Sequence, residues 1–217
     1  MVQRRFDLVA FDMDGVLVEC ESSWSWVHDH FGVDNDAALM EFLRGEIDDR
    51  EFMRRDIALW KAARPDLDLD HVHRILEPVP VTKGVRETVS TLRGAGTRTV
   101  IISGGIDLVA GRIAEDYGFD DFLANGLECD GGGRLTGEGV LQVELRNKRG
   151  SLDHFLERWD IPRERAAAVG NSFVDVSMFQ GCACSIAFNP VDREVVEGAR
   201  KVVESDDLRS ILPYLLR

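Results

Sequence analysis

Phe6-Asp7-Leu8-Val9-Ala10-Phe11-Asp12-Met13-Asp14-Gly15-Val16-Leu17 is the stretch on which the rest of the chain depends. Its apolar run, Leu8 to Phe11, reads as a strand buried on both faces, as in a parallel sheet. The run stops at two aspartates one residue apart, followed by a glycine. Ligands of parallel α/β sheets bind outside the carboxyl ends of the strands, so Asp12 and Asp14 stand where chemistry is done. Taken alone, the same letters also describe a turn, because Asp and Gly favour turns. The downstream segments decide between strand end and turn.

Two further apolar strands with the same kind of ending lie downstream. Thr97 to Ile102 is β-branched and runs into Ser103-Gly104-Gly105, and Ala166 to Val169 runs into Gly170-Asn171-Ser172. Ala166 to Val169 leads to a helix through Met178, and Ser185 to Phe188 reads as another strand. Helical periodicity marks 84–93, 106–117, 151–159 and the terminal Leu208, Ile211, Leu212 and Leu215, while 122–145 reads as short strands around the Asp130-Gly-Gly-Gly turn. Strands alternating with helices imply a parallel sheet with right-handed crossovers.

The spacing locates an insertion. Asp12 and Ser103 are 91 residues apart (103 − 12), whereas one strand–helix–strand crossover needs roughly 30. The surplus is helical. Trp24, Val27 and Phe31 share one helical face, as do Leu39, Phe42, Leu43 and Ile47; then Phe52, Met53, Ile57 and Trp60; then Val72, Ile75 and Leu76. The expected organisation is therefore a core of residues 1–15 and 81–217 and a small helical cap of residues 16–80.

Composition narrows the partners. With 217 residues and 44% hydrophobic content the chain can build a sizeable core, and its formal net charge of −13 argues against a nucleic-acid partner. An anionic small molecule can still bind if a metal and one lysine supply local positive charge; the lysines are Lys61, Lys83, Lys148 and Lys201. No run approaches a membrane span, and Met-Val-Gln-Arg-Arg running straight into a strand is not a signal peptide, so no membrane partner and a cytoplasmic location are expected. Cys20, Cys129, Cys182 and Cys184 lack zinc spacing and read as small core residues. His71 and His73, two apart, do not share a helical face and read as solvated.

Four elements now form a constellation at strand ends or a helix start. These are Asp12-x-Asp14; Ser103 with Gly104, whose hydroxyl and backbone N–H groups suit an anion; Lys148, where a loop enters a helix; and Gly170-Asn171 to Asp175, two side-chain oxygens four residues apart on one helix-terminal face. In this order they resemble the four motifs of the haloacid dehalogenase superfamily in its phosphatase form, which carries the second aspartate that the dehalogenases lack. The cap position, Ile102-Ser-Gly-Gly and Glu21 resemble most the phosphoserine phosphatase branch.

The resemblance implies an α/β fold, a Rossmann-like parallel sheet core with the cap inserted, and a Mg²⁺-dependent phosphomonoester hydrolase acting on a small phosphorylated metabolite, with phosphoserine as a candidate. It implies Asp12 as nucleophile forming an aspartyl-phosphate, Asp14 as general acid and base, and Ser103, Gly104 and Lys148 around the phosphate. It further implies Mg²⁺ held by Asp12, the Asp14 carbonyl, Asn171 and Asp175, and Glu21 on a substrate amine. Three departures stand out: Asn171 replaces the usual aspartate, Val174 replaces a polar residue, and Asp56 stands where the branch carries an arginine for the substrate carboxylate, with Arg54 and Arg55 beside it. A weakened binding or regulatory protein of the same fold, or a phosphomutase, stays open. A receiver domain is disfavoured by the cap and by Asp14. Monomer and homodimer are equally compatible with the sequence.

Overall fold

The four residues of β1 (Leu8–Phe11) have no exposed surface. Their alternation sorts them between two cores: Val9 and Phe11 join one cluster, Leu8 and Ala10 the other. Fully burying each large member contributes about 1.5–3 kcal/mol, so this segment is fixed in the middle of the sheet. The computed structural model describes residues 3–217; Met1 and Val2, the first residues of the amino-terminal pentapeptide, lie outside the described residues.

After β1 come four helices, α1 (Ser23–Phe31), α2 (Asp36–Arg44), α3 (Asp49–Ala63) and α4 (Leu69–Leu76). Next are α5 (Val85–Gly94), β2 (Arg98–Ile106), α6 (Asp107–Tyr117), β3 (Asp121–Cys129), β4 (Leu135–Val140), α7 (Lys148–Arg158) and β5 (Ala166–Gly170). The chain closes with α8 (Val176–Phe179), β6 (Cys184–Phe188), α9 (Arg193–Gly198), β7 (Lys201–Val203) and α10 (Leu212–Leu215). The seven strands form one sheet in the order β4-β3-β2-β1-β5-β6-β7, parallel except for β4. This is the expected α/β class.

β1 pairs with β2 on one side and β5 on the other, with Phe11 level with both Ile101 and Val169. The strand order reverses here, which opens a crevice at the carboxyl ends of β1 and β5. One face of the sheet is covered by α5 (Val89, Leu92) and α6 (Val109, Ile113). The other is covered by α7 (Leu152, Phe155, Leu156) and α8 (Met178, Phe179).

The four helices between β1 and β2 begin and end where local chemistry dictates. Ser22, Asp48 and Asp68 accept backbone N–H groups at the starts of α1, α3 and α4, and the left-handed Gly32 and Gly45 close α1 and α2. Trp24, Val27, Met53, Ile57, Trp60, Val72 and Leu76 pack into one cluster continuous with the sheet core. α2 departs from its expected face: Ala38 and Phe42 are buried, while Leu39 and Leu43 are each 41% exposed.

Three other expectations change. β2 does not stop at Ile102 but continues through Ser103-Gly104-Gly105 to Ile106, its register against β3 shifting between Ile102 and Ile106. Such bulges re-aim side chains beside active sites. Lys148 is the first residue of α7 rather than a loop residue before a helix. Helix α9 and the three-residue edge strand β7 are additions to the elements that periodicity marks. Among the described residues no helix is long and apolar enough to cross a membrane. The four cysteines are free, and burial pushes the Cys182 thiol up to about 12.

Candidate active site

Asp12 continues the parity of Leu8 and Ala10, which aims it at the side of the sheet covered by α7. Its backbone N–H still donates to Val169 O at 2.9 Å, so β1 and β5 remain paired through this residue. The first residue of α7 meets it: Lys148 Nζ lies 3.0 Å from Asp12 Oδ1 and 2.7 Å from Asp175 Oδ1. All three side chains are buried. Burial and the Asp175 carboxylate push Asp12 up to about 7 despite Lys148. Burial pulls Lys148 down, but the two carboxylates outweigh it and hold the ammonium well above its ordinary value.

Asp175, expected as a metal ligand, carries hydrogen bonds on both oxygens. Its Oδ1 is taken by Lys148, and its Oδ2 accepts the N–H groups of Asn171 at 2.8 Å and Ser172 at 3.1 Å. With both oxygens engaged, the residue fixes the lysine and the loop after β5. Asn171 is also buried, yet its side-chain amide makes no hydrogen bond among the described residues. It packs against Gly15, whose backbone is left-handed (φ 73°); a Cβ there would come within 2.0 Å of the Asn171 amide nitrogen.

Asp14 lies across the crevice. Its Oδ2 accepts both the backbone N–H and the hydroxyl of Ser23, each at 2.9 Å, while the buried Oδ1 has no partner. Burial pushes Asp14 up to about 6 in spite of the Ser23 bonds. A carboxyl group with one anchored and one free oxygen, titrating near neutrality, is suited to giving and taking a proton.

Ser23 joins the site although no motif singles it out. It is fully buried at the start of α1, and its Oγ also accepts the Ile106 N–H at 2.9 Å. One hydroxyl therefore ties the helical insertion, the acid and the end of β2 together. The adjacent Ser22-Ser23 pair before an apolar helix is the one signal in the sequence, since only one of the two is needed as a cap. Ser23→Ala strands the Ile106 N–H and leaves Asp14 Oδ2 held by the residue-23 backbone N–H alone; kcat is expected to fall about tenfold with KM little changed. Steady-state kinetics check this, and an unaltered kcat would remove Ser23 from any positioning role.

Ser103 and Gly104 line the same crevice. The Ser103 hydroxyl accepts the Gly105 N–H at 3.0 Å, so that amide is not free for an anion as the Ser-Gly-Gly run suggests. The Gly104 carbonyl accepts Trp24 Nε1–H at 3.0 Å, a second link to α1. Gly105 has to lack a side chain, because a Cβ would lie 2.6 Å from both Asp14 Oδ2 and Ser23 Oγ. Glu21 is exposed at the rim, and Val174 also lines the cavity.

The donor set fits a divalent cation of the Mg²⁺ type. Burial and Asp175 leave Asp12 short of positive charge even with Lys148 in contact, Asp14 Oδ1 is buried without a partner, and Asn171 lines the same cavity as both. The Asp14 carbonyl accepts no backbone hydrogen bond among the described residues. Mg²⁺ takes such oxygen ligands a few at a time and keeps waters. Among the described residues no three His, Cys, Asp or Glu side chains gather into an all-protein cage.

The sequence signature of the haloacid dehalogenase-like hydrolases matches residues 9–180, and the chain belongs to that family. Among its relatives, a phosphoserine phosphatase of Methanocaldococcus jannaschii is 29% identical over 99% of this chain and 100% of its own length. A phosphoserine phosphatase of Idiomarina loihiensis is 31% identical over 84% of this chain and 81% of its own. A solved structure described as a phospho-aspartyl intermediate analogue of phosphoserine phosphatase superposes with a TM-score of 0.83, at 28% identity, over 98% of this chain and 100% of that one.

Proposed function

We propose that the protein is a Mg²⁺-dependent phosphatase that hydrolyses a small phosphomonoester through a phosphorylated Asp12. The observation that carries this is the Asp12–Lys148–Asp175 triad at the strand-order reversal, facing Asp14 with its one free oxygen. In this reading, Asp12 attacks phosphorus and splits one hard displacement into two easier ones. Asp14 protonates the departing alkoxide and then takes the proton of the hydrolytic water. Lys148 and the Ser103 hydroxyl neutralise the phosphoryl oxygens, and Gly104 lets them approach. Asp12, the Asp14 carbonyl and Asn171 would hold the Mg²⁺, which when bound supplies positive charge at the phosphoryl group. Asp175 positions Lys148.

The domain reading completes the picture: the substrate sits between the core and the four-helix cap, so cap residues select it. The names of the relatives make phosphoserine the first compound to test, with Glu21 as a candidate for the amine. We also infer a cytoplasmic protein, monomeric or homodimeric, with neither nucleic acid nor membrane as partner. Hydrolysis of an aryl phosphate that stops on addition of EDTA and returns with Mg²⁺ tests the reading. Absence of such turnover would favour a binding protein of the same fold.

Asn171 gives a sharper test of the metal assignment. A neutral amide replaces a charged oxygen, so Asn171→Asp is expected to lower the Mg²⁺ concentration for half-maximal activity by about tenfold. A Mg²⁺ titration that stays put or moves upward would show that residue 171 does not touch the ion.

A further inference from the structure

The cavity that contains Asp12 extends into the cap, with a volume of about 490 Å³. Its lining holds eight carboxylates and a single lysine, Lys148, which stands at the Asp12 end in contact with Asp12 and Asp175. Arg54 and Arg55, adjacent to Asp56 in sequence, do not reach it. Arg54 is paired with Glu51 and Glu138, and Arg55 with Glu41 and Glu51, on the outer side of α3.

Asp56 itself is 3% exposed. Its Oδ1 accepts from His28 Nε2 at 2.9 Å and Asn35 Nδ2 at 2.6 Å. Trp60 Nε1–H donates to His28 Nδ1 at 2.8 Å. An indole N–H only donates, so His28 Nδ1 carries a lone pair, the ring proton sits on Nε2, and His28 is neutral. The bonds to Asp56 are therefore made without a cation. Asp56 Oδ2 has no partner among the described residues, and the residue borders the cavity. A carboxyl group held rigidly by neutral donors, with its second oxygen open to the cavity, is a ready acceptor for a cation that arrives there.

The surrounding surface suits such a cation. Trp24, which stacks on Trp60 at 5.3 Å, and Phe52, which stacks on Phe42 at 5.3 Å, line the cavity, while Arg146 lies over the Phe42 ring at 4.9 Å. Aromatic faces beside a carboxylate attract ammonium groups. We propose that Asp56 is the subsite for a cationic group on the alcohol half of the substrate, so that the preferred substrates are amino-alcohol phosphates that carry no carboxylate. This rests on the phosphatase reading and narrows its substrate class.

A matched series tests it: phosphoethanolamine, phosphoserine and glycerol 3-phosphate, with an aryl phosphate as the control for chemistry. kcat/KM for phosphoethanolamine is expected to exceed that for each of the other two by about tenfold or more, and the isosteric Asp56→Asn should bring the ethanolamine-to-glycerol ratio to about one. Equal values for phosphoethanolamine and glycerol 3-phosphate in the unaltered protein, or phosphoserine as the best of the three, would overturn the proposal. Calorimetric binding of the same three compounds to the Asp12→Asn protein in Mg²⁺ reads the subsite without turnover and in the presence of an intact Asp56. If no phosphomonoester is hydrolysed, the aryl phosphate included, the phosphatase reading fails. The calorimetry then decides the subsite alone: tighter binding of phosphoethanolamine supports it, and indifference removes it.

Discussion

Replacing Asp12 by asparagine is expected to abolish turnover, by about 10⁴-fold or more, because no other side chain is placed to take the phosphoryl group. The effect should fall on chemistry and not on the fold. Asn has the same shape, and the carboxylate it replaces is destabilised by burial and by Asp175. Circular dichroism and melting should therefore change little while the signal of a phosphoenzyme, trapped by acid quench from labelled substrate, disappears. An Asp12→Asn protein that still turns over substrate in a Mg²⁺-dependent way would sink the nucleophile assignment.

Lys148→Met should damage fold and chemistry together. The lysine is 1% exposed and is the cation that both Asp12 and Asp175 touch. Removing one partner of a buried ion pair costs about 3–5 kcal/mol, since the charges left behind have no water. For a chain of this size that corresponds to a fall in Tm of roughly 10 °C. kcat should drop by about 10²–10³-fold on loss of charge at the phosphoryl oxygens. Adding Asp175→Asn to Lys148→Met removes one stranded carboxylate, so Tm should partly recover while kcat does not. If Lys148→Met melts like the unaltered protein, the three side chains do not form a buried charge network.

Legibility from the sequence tracks the range of the interactions. β1 and the four cap helices can be read because apolar spacing along a segment reports its own burial; Trp24 and Val27, or Met53, Ile57 and Trp60, need no partner to be recognised. Lys148 and Asp12 are brought into one site only by the resemblance, since 136 residues separate them (148 − 12). The bulge in β2 is hidden because Ser103-Gly104-Gly105 looks like a turn, and the contacts that hold it come from Trp24 and Ser23, some 80 residues earlier. β7 has three residues, too few to show alternation. Asp56 does leave a trace: it shares the buried face of α3 with Met53, Ile57 and Trp60. An acid on an apolar stripe is a signal that a partner exists, though not that the partner would be a neutral histidine. For Asp175, spacing shows that it lies near Asn171, but not that it accepts the backbone N–H groups of Asn171 and Ser172.

The central position of β1 has a consequence for how the protein is made. The strand that leads to Asp12 leaves the ribosome before its neighbour β5, which leads to Asn171, 159 residues later (171 − 12). At the usual 5–20 residues per second, about 8–30 s of synthesis separate the two halves of the site. During that interval Leu8-Val9-Ala10-Phe11 lacks one of its two partner strands, an apolar segment of the kind that pairs with other chains when left open. The residue assigned the chemistry is thus made well before the strand that encloses it. A nascent or truncated chain that stops before β5 can carry the nucleophile but not an assembled site.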